Sequence, residues 1–164
     1  MPRIKLISTN KEASIVITLL IILFSVTTIL IPFFLMRLIP QSGIGNYFIE
    51  HLYIAYSFIP IVLYFIYTGI FYYQIKIDSY IINIRSQRIL SGIFKSSNYF
   101  DISHPMLVGF SFFNRPFSFN KTLMLKIKMG SGKVIAKRFD LTFLSKEEEN
   151  KISKVLQRII AKKI

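Results

Sequence analysis

Two long uncharged apolar runs constrain this chain more than any other feature. Residues 13–36 read ASIVITLLIILFSVTTILIPFFLM and residues 52–73 read LYIAYSFIPIVLYFIYTGIFYY, with no Asp, Glu, Lys or Arg in either. A hydrocarbon layer about 30 Å thick is crossed by about 20 helical residues, and both runs exceed that length. Sixteen of the first run's 24 residues are Leu, Ile, Val or Phe. At about −0.3 to −0.6 kcal/mol each, they favour insertion by roughly 5–10 kcal/mol before polar offsets. Buried helices of a soluble protein are the competing reading. Two such segments would consume the whole core of a small protein, and neither has a polar face. A cleaved signal peptide fits poorly, because the apolar run is longer than the usual 7–15 residues. It is also followed by RLIPQSG rather than a small-residue cleavage site.

The expectation is therefore a transmembrane helical hairpin over 13–74, preceded by a tail over 1–12. The segment between the runs, IPQSGIGNYFIE, holds Gly43 and Gly45 and is expected only to turn the chain around. Pro32 and Pro60 fall inside the runs. Each frees a carbonyl one turn earlier, at Thr28 and Tyr56, and suggests a kink with Thr27, Thr28 and Ser57 available to satisfy the backbone. Neither run carries an ionisable Asp, Glu, Lys, Arg or His, which leaves a proton or ion pathway without a carrier. Tyr53, Tyr56, Tyr72 and Tyr73 suit an interfacial belt, while Tyr64 and Tyr67 lie mid-run and need hydrogen-bond partners, most simply from helix–helix contact.

Charge sits elsewhere. The 164-residue chain has a net charge of +13, and residues 76–164 hold 17 basic and six acidic side chains. Arg3, Lys5 and Lys11 precede the first run, Lys76, Arg85, Arg88 and Lys95 follow the second, and Arg37 alone lies between. The positive-inside rule then places both termini in the cytoplasm. A basic domain tethered to a membrane most simply meets anionic head groups, at about 1 kcal/mol per basic residue near the surface. Nucleic acid is ranked lower because tethering already sets the domain beside lipid. With no cysteine, disulfides, thiol nucleophiles and Cys-type zinc sites are excluded. His51 and His104 lie far apart and lack ligand spacing, so no metal or other cofactor is expected.

From Gln74 onward the pattern becomes alternation. IKIDSYIINIRSQ reads as one strand of period two, RILSGIFKSS as a turn and a short strand, and NYFDIS and MLVGFSFF as strands around a break at His104–Pro105. TLMLKIKM places Leu123, Leu125, Ile127 and Met129 on one face and Met124, Lys126 and Lys128 on the other. Gly130-Ser131-Gly132 then turns into KVIAKRFDL, a hairpin. Ser145 and Glu148 form a capping box. Ile152, Val155, Leu156, Ile159 and Ile160 give the final helix an apolar face that needs a sheet beneath it. The expected fold is a membrane α-helical hairpin plus an α+β domain over 75–164, an antiparallel meander closed by a C-terminal amphipathic helix.

The hairpin, the IDSYIINIR strand directly after it, and KRFDLTFLSKEEENKISKVLQRI carry a resemblance. In that order the chain resembles small bacterial membrane proteins with a bacterial pleckstrin-homology-like (PH-like) domain. The resemblance implies a PH-like fold and the bacterial cytoplasmic (inner) membrane. Some of those relatives are associated with resistance to bacteriocins.

Two candidate surfaces emerge. FSFFNRPFSFNK, residues 110–121, crowds phenylalanines with Arg115 and Lys121 around Pro116. It reads either as an interfacial loop gripping head groups or as core, with Phe110, Phe112, Phe117 and Phe119 alternating inward. Lys126, Lys128, Lys133, Lys137 and Arg138 cluster on the 122–141 hairpin, as a solvated face or an anion-binding patch. Gly130-Ser131-Gly132-Lys133 lacks the spacing and the following helix of a phosphate loop. Asp78, Asp101 and Asp140 are isolated, and His104 beside Pro105 suits a turn better than a base, so no enzyme is expected. The expected roles are a non-enzymatic membrane protein binding membrane lipids or a protein, or a small subunit of a larger membrane assembly of transport, secretion or immunity type. A homo-oligomer is compatible with either, and no small-molecule substrate is identified.

Overall fold

A computed structural model describes residues 5–38, 43–51, 53, 56–57, 59–89 and 98–162. The chain divides into two compact units, Met1–Ser14 with Ile70–Ile164, and Ile15–Gly69.

The first unit is α+β, with two antiparallel sheets of four and three strands. Strands β1 (Leu6–Thr9), β2 (Phe71–Ile77), β3 (Ile81–Arg88) and β4 (Asn98–Ser103) form one sheet in sequence order. A short 3-10 turn over His104–Met106, with Pro105 as its second residue, leads to β5 (Leu107–Asn114), β6 (Asn120–Lys128) and β7 (Val134–Thr142), which form the other. The meander is thus split where the sequence breaks at His104–Pro105. Register shows why the alternation works. Ile75 opposes Ile84 and Ile77 opposes Ile82, while across the other sheet Leu123 opposes Phe139. Directly opposed residues share a face, so these rows form one buried core with Leu125, Ile127 and Leu141. Each such side chain, removed from water, contributes about 1.5–3 kcal/mol.

The last described element is helix α4, Lys146–Ala161. Ser145 accepts from the Glu148 amide at 3.1 Å and the Glu148 carboxylate accepts from the Ser145 amide at 3.3 Å. Ile152, Leu156 and Ile159, at positions i, i+4 and i+7, enter the core, and Val155 and Ile160 flank them. The helix packs on β5 and β1.

Four expectations need correcting. IKIDSYIINIRSQ is not one strand: Asp78 donates its amide to the Ile81 carbonyl at 2.9 Å and folds the segment into β2 and β3. The second apolar run does not continue as a helix to residue 73. Gly69, at φ +70°, receives the end of a helix, its amide reaching the Phe65 carbonyl at 3.0 Å. This is the left-handed C-terminal stop that glycine adopts without penalty, and β2 starts two residues later. Tyr73 is consequently core rather than interfacial belt. The connecting segment is more than a turn, since Gly43–Glu50 is helical. Finally, the N-terminal stretch is more than a tail: Leu6–Thr9 pairs antiparallel with β2, Leu6 opposite Ile77 and Thr9 opposite Gln74. The short strand expected within 88–97 lies largely outside the described residues.

The second unit contains α1 (Lys11–Leu38, its first turn in the other unit), α2 (Gly43–Glu50) and α3 (Ile59–Thr68). Helix α1 continues through Pro32. The Thr27 and Thr28 hydroxyls both donate to the Phe24 carbonyl, at 3.0 and 2.7 Å, rather than to the carbonyl that Pro32 frees. Pro60 sits in the first turn of α3, where a missing amide costs nothing. Among the described residues, α1 is the helix long and apolar enough to cross a membrane by length and composition.

Candidate interaction surfaces

Strand direction sorts the β unit into two ends. One end holds Asn10, Ile70, Phe71, Thr142 and the β5–β6 loop, and the other holds the Asp78–Tyr80 and Met129–Lys133 turns.

The first end is stitched by buried amides and hydroxyls. Asn10 donates through Nδ2 to the carbonyls of Phe71 and Thr142, both at 2.9 Å, and its Oδ1 accepts from the Tyr73 amide at 2.8 Å. The Thr142 hydroxyl accepts from the Phe71 amide at 2.8 Å and donates to the Asn120 side chain across the β6–β7 pair. Ser86 on β3 donates to the Asp140 carbonyl at 2.7 Å. These bonds join the two sheets where the chain leaves the unit at Ser14 and returns at Ile70. Tyr73, fully buried, meets Ser8 and Glu148, and its burial pushes the hydroxyl up to about 12. Ser8 in turn donates to Glu148 at 3.1 Å, tying β1 to the capped end of α4.

The β5–β6 loop, residues 115–119, belongs to this end. Arg115 donates its amide to the Asn120 carbonyl at 3.3 Å, and the Asn120 amide reaches the Ser118 hydroxyl at 3.0 Å. Phe143 donates its amide to the Phe119 carbonyl at 3.0 Å, and the two rings stack with centroids 5.2 Å apart. The aromatic segment divides. Phe110 and Phe112 pack against the core, as the inward alternation required, whereas Phe117 is 94% exposed at φ +56° and Phe119 and Phe113 are about half exposed.

The basic residues singled out by sequence do not form one patch. Lys126, Lys128 and Arg138 share the outer face of β6–β7: Met124 opposes Arg138, Lys126 opposes Ala136, and Lys128 opposes Val134. Lys133 is exposed in the adjoining turn, closed by bonds from Met129 to Lys133 and from Gly132 to Met129, both 2.8 Å, with Gly132 at φ +81°. Lys137 opposes Leu125 and so projects from the other face, over the Phe100 ring at 5.3 Å. Lys121 pairs with Glu149 on α4, and Arg115 lies 3.9 Å from Asp140, which also accepts from Thr122 at 2.6 Å. Among the described residues, Lys126, Lys128, Lys133 and Arg138 form no ion pair. Lys126 and Lys128, two residues apart on β6 and so about 7 Å apart along the backbone, with Arg138 on the same face and Lys133 in the adjoining turn, suit phosphates or carboxylates.

His104 opens the 3-10 turn at the second end, its amide donating to the Tyr80 carbonyl at 3.0 Å. Burial pushes its imidazole below the usual range, against the opposing effect of a hydrogen bond to the Asp78 backbone. Among the described residues no three His, Cys, Asp or Glu side chains gather as a metal site. Sequence reading missed Asn10. Its only signal is an asparagine at the N-cap position before α1, which says nothing of the strands it joins. No protein-family model, no curated protein and no solved structure matches the chain.

Proposed function

We propose that the chain is a non-enzymatic protein of the bacterial inner membrane. Its helical unit is the anchor, both termini are cytoplasmic, and its β unit is a PH-like domain. That domain binds a protein partner or anionic lipid head groups through the basic outer face of β6–β7.

The observation that carries this reading is the surface of α1. Only 11% of the Lys11–Thr28 window is buried, and Leu19, Leu23, Val26 and Leu30 are each well exposed along the helix. A core helix of a soluble protein hides such side chains, and a soluble surface of this size and apolarity invites association. Hydrocarbon solvates it. Because Thr9 pairs with Gln74, both ends of the helical unit lie on one side of any layer that α1 crosses. Residues 43–68 must then bring the chain back, which favours the two-span anchor. The four- and three-stranded antiparallel sheets followed by a helix support the PH-like assignment.

The test uses the full chain. It is expected to stay with membranes through alkaline carbonate washing and to require detergent for release. Reversing charge at Lys126, Lys128 and Lys133 to Glu should abolish capture of a crosslinked partner, or anionic-lipid dependence in vesicles, while leaving the chain membrane-bound. A freely soluble chain overturns the anchor, and unchanged capture and lipid dependence overturn the basic surface.

A second reading, a small subunit of a transport, secretion or bacteriocin-immunity assembly, is favoured by the exposed tyrosines Tyr53, Tyr56 and Tyr67 of the helical unit. Hydroxyls in hydrocarbon need partners, and a neighbouring helix supplies them. Purification as a lone monomer in mild detergent overturns it.

A further inference from the structure

We propose that the β5–β6 loop is a lipid contact in its own right, with Phe117 seated in the interfacial layer of the bilayer and Arg115 among the head groups. This rests on the membrane reading of α1.

The argument is one of position within the β unit. The chain departs for the helical unit at Ser14 and returns at Ile70. Asn10 and Phe71, beside those two points, are both bonded to Thr142. Thr142 is bonded across the strand pair to Asn120, the residue that closes the β5–β6 loop, and the next residue, Phe143, holds Phe119 by a backbone bond and a stacked ring. The loop and the two crossing points therefore occupy one end of the unit. Residues that join the β unit to a span lie next to the bilayer by connectivity alone, and the loop is at their end of the β unit.

Its chemistry fits the level. Phe119 stacks on Phe143, and Phe117 projects with 94% of its surface exposed. It does so from a backbone conformation, φ +56°, that a bulky side chain rarely adopts. The turn dictates that projection, through the bonds from Arg115 to Asn120 and from Asn120 to Ser118. An aromatic ring beside an arginine whose side chain is 54% exposed is the pairing that interfacial anchors use, the ring below the head groups and the cation among their phosphates. With this end of the unit at the bilayer, the basic outer face at the opposite end of β6 is the one left to the protein partner.

The chain has no tryptophan, so single Phe117→Trp, Phe24→Trp and Ser131→Trp variants of the full chain each carry one reporter. They are placed in vesicles of phosphatidylcholine and phosphatidylglycerol, with and without bromine on the acyl chains. Phe24 lies on α1 and Ser131 in the distant turn. The expected result is strong loss of F117W and F24W emission with brominated lipid, together with blue-shifted maxima. S131W should remain red-shifted and quenched by aqueous acrylamide. If F24W is quenched by bromine and F117W behaves like S131W, the loop contact is overturned and the membrane anchor stands. A blue-shifted F117W insensitive to bromine means a protein surface covers the ring, which also overturns the lipid contact. If F24W itself ignores bromine, the anchor falls and the loop contact with it.

Discussion

Strand β6 begins in one chemistry and finishes in another. At Asn120 it meets buried amides, a stacked pair of phenylalanines and a projecting ring; at Lys128 it meets a solvated turn and cations that form no ion pair among the described residues. Eight residue steps at about 3.3 Å separate these ends by about 26 Å, roughly three Debye lengths at physiological salt. The field of Lys126, Lys128 and Lys133 is therefore screened from the Asn10 end. The inward row, Leu123, Leu125 and Ile127, is the same throughout. The lesson is that one buried row supports two ends that differ in what they risk: the Asn10 end carries cohesion, and the Lys128 end carries charge on which no buried bond depends.

The severest challenge to that division is to cut it. A fragment over 75–164 lacks β1, Ile70 and Tyr73 and begins inside β2, so it should be unfolded, with no dispersed amide spectrum. A folded fragment would show that the Asn10 end is dispensable. Asn10→Ala should cost about 3–5 kcal/mol, because three buried partners are stranded at about 1–3 kcal/mol apiece. Denaturant midpoints in detergent measure it. Raising pH through Tyr73 is milder. A hydroxyl titrating near 12 when folded and near 10 when unfolded stabilises the protein fully below pH 10. About 2–3 kcal/mol is lost as pH climbs from 10 to 12, and Tyr73→Phe should lack that slope. Ser145→Ala should remove about 1 kcal/mol by uncapping α4. The smallest change in stability, within about 0.5 kcal/mol, is expected for Lys126→Glu with Lys128→Glu. A large destabilisation by that pair would erase the distinction between the ends.

Much of the α+β unit could be read from its residues. The Gly130–Gly132 hairpin, the Ser145 capping box and the Ile152–Ile159 face are local devices, set by neighbours a few positions away. The errors were non-local. Leu6–Thr9 is too short to announce itself as a strand, and its partner begins beyond residue 70. Tyr72 and Tyr73 extend the apolar run without a charge, and only Gly69, an ordinary residue within such a run, marks where helix yields to sheet. At the candidate surface, alternation placed Lys126 and Lys128 outward but could not set the register of β7. Lys137 and Arg138, adjacent in sequence, therefore look alike until pairing puts them on opposite faces. Phe117 breaks the inward alternation of its neighbours because it lies in the turn, where period two no longer applies.

The pairing of Leu6 with Ile77 also sets an order of events. At about 5–20 residues per second of synthesis, the first strand waits roughly 4–14 s for its partner, while all of Ile15–Gly69 is made in between. The sheet closes only if that intervening stretch brings its two ends back together. On the proposed membrane reading, completion of the β unit thus reports that the helical excursion has returned to the side it left. On that reading, a chain whose helices stall halfway keeps an open sheet edge at β2.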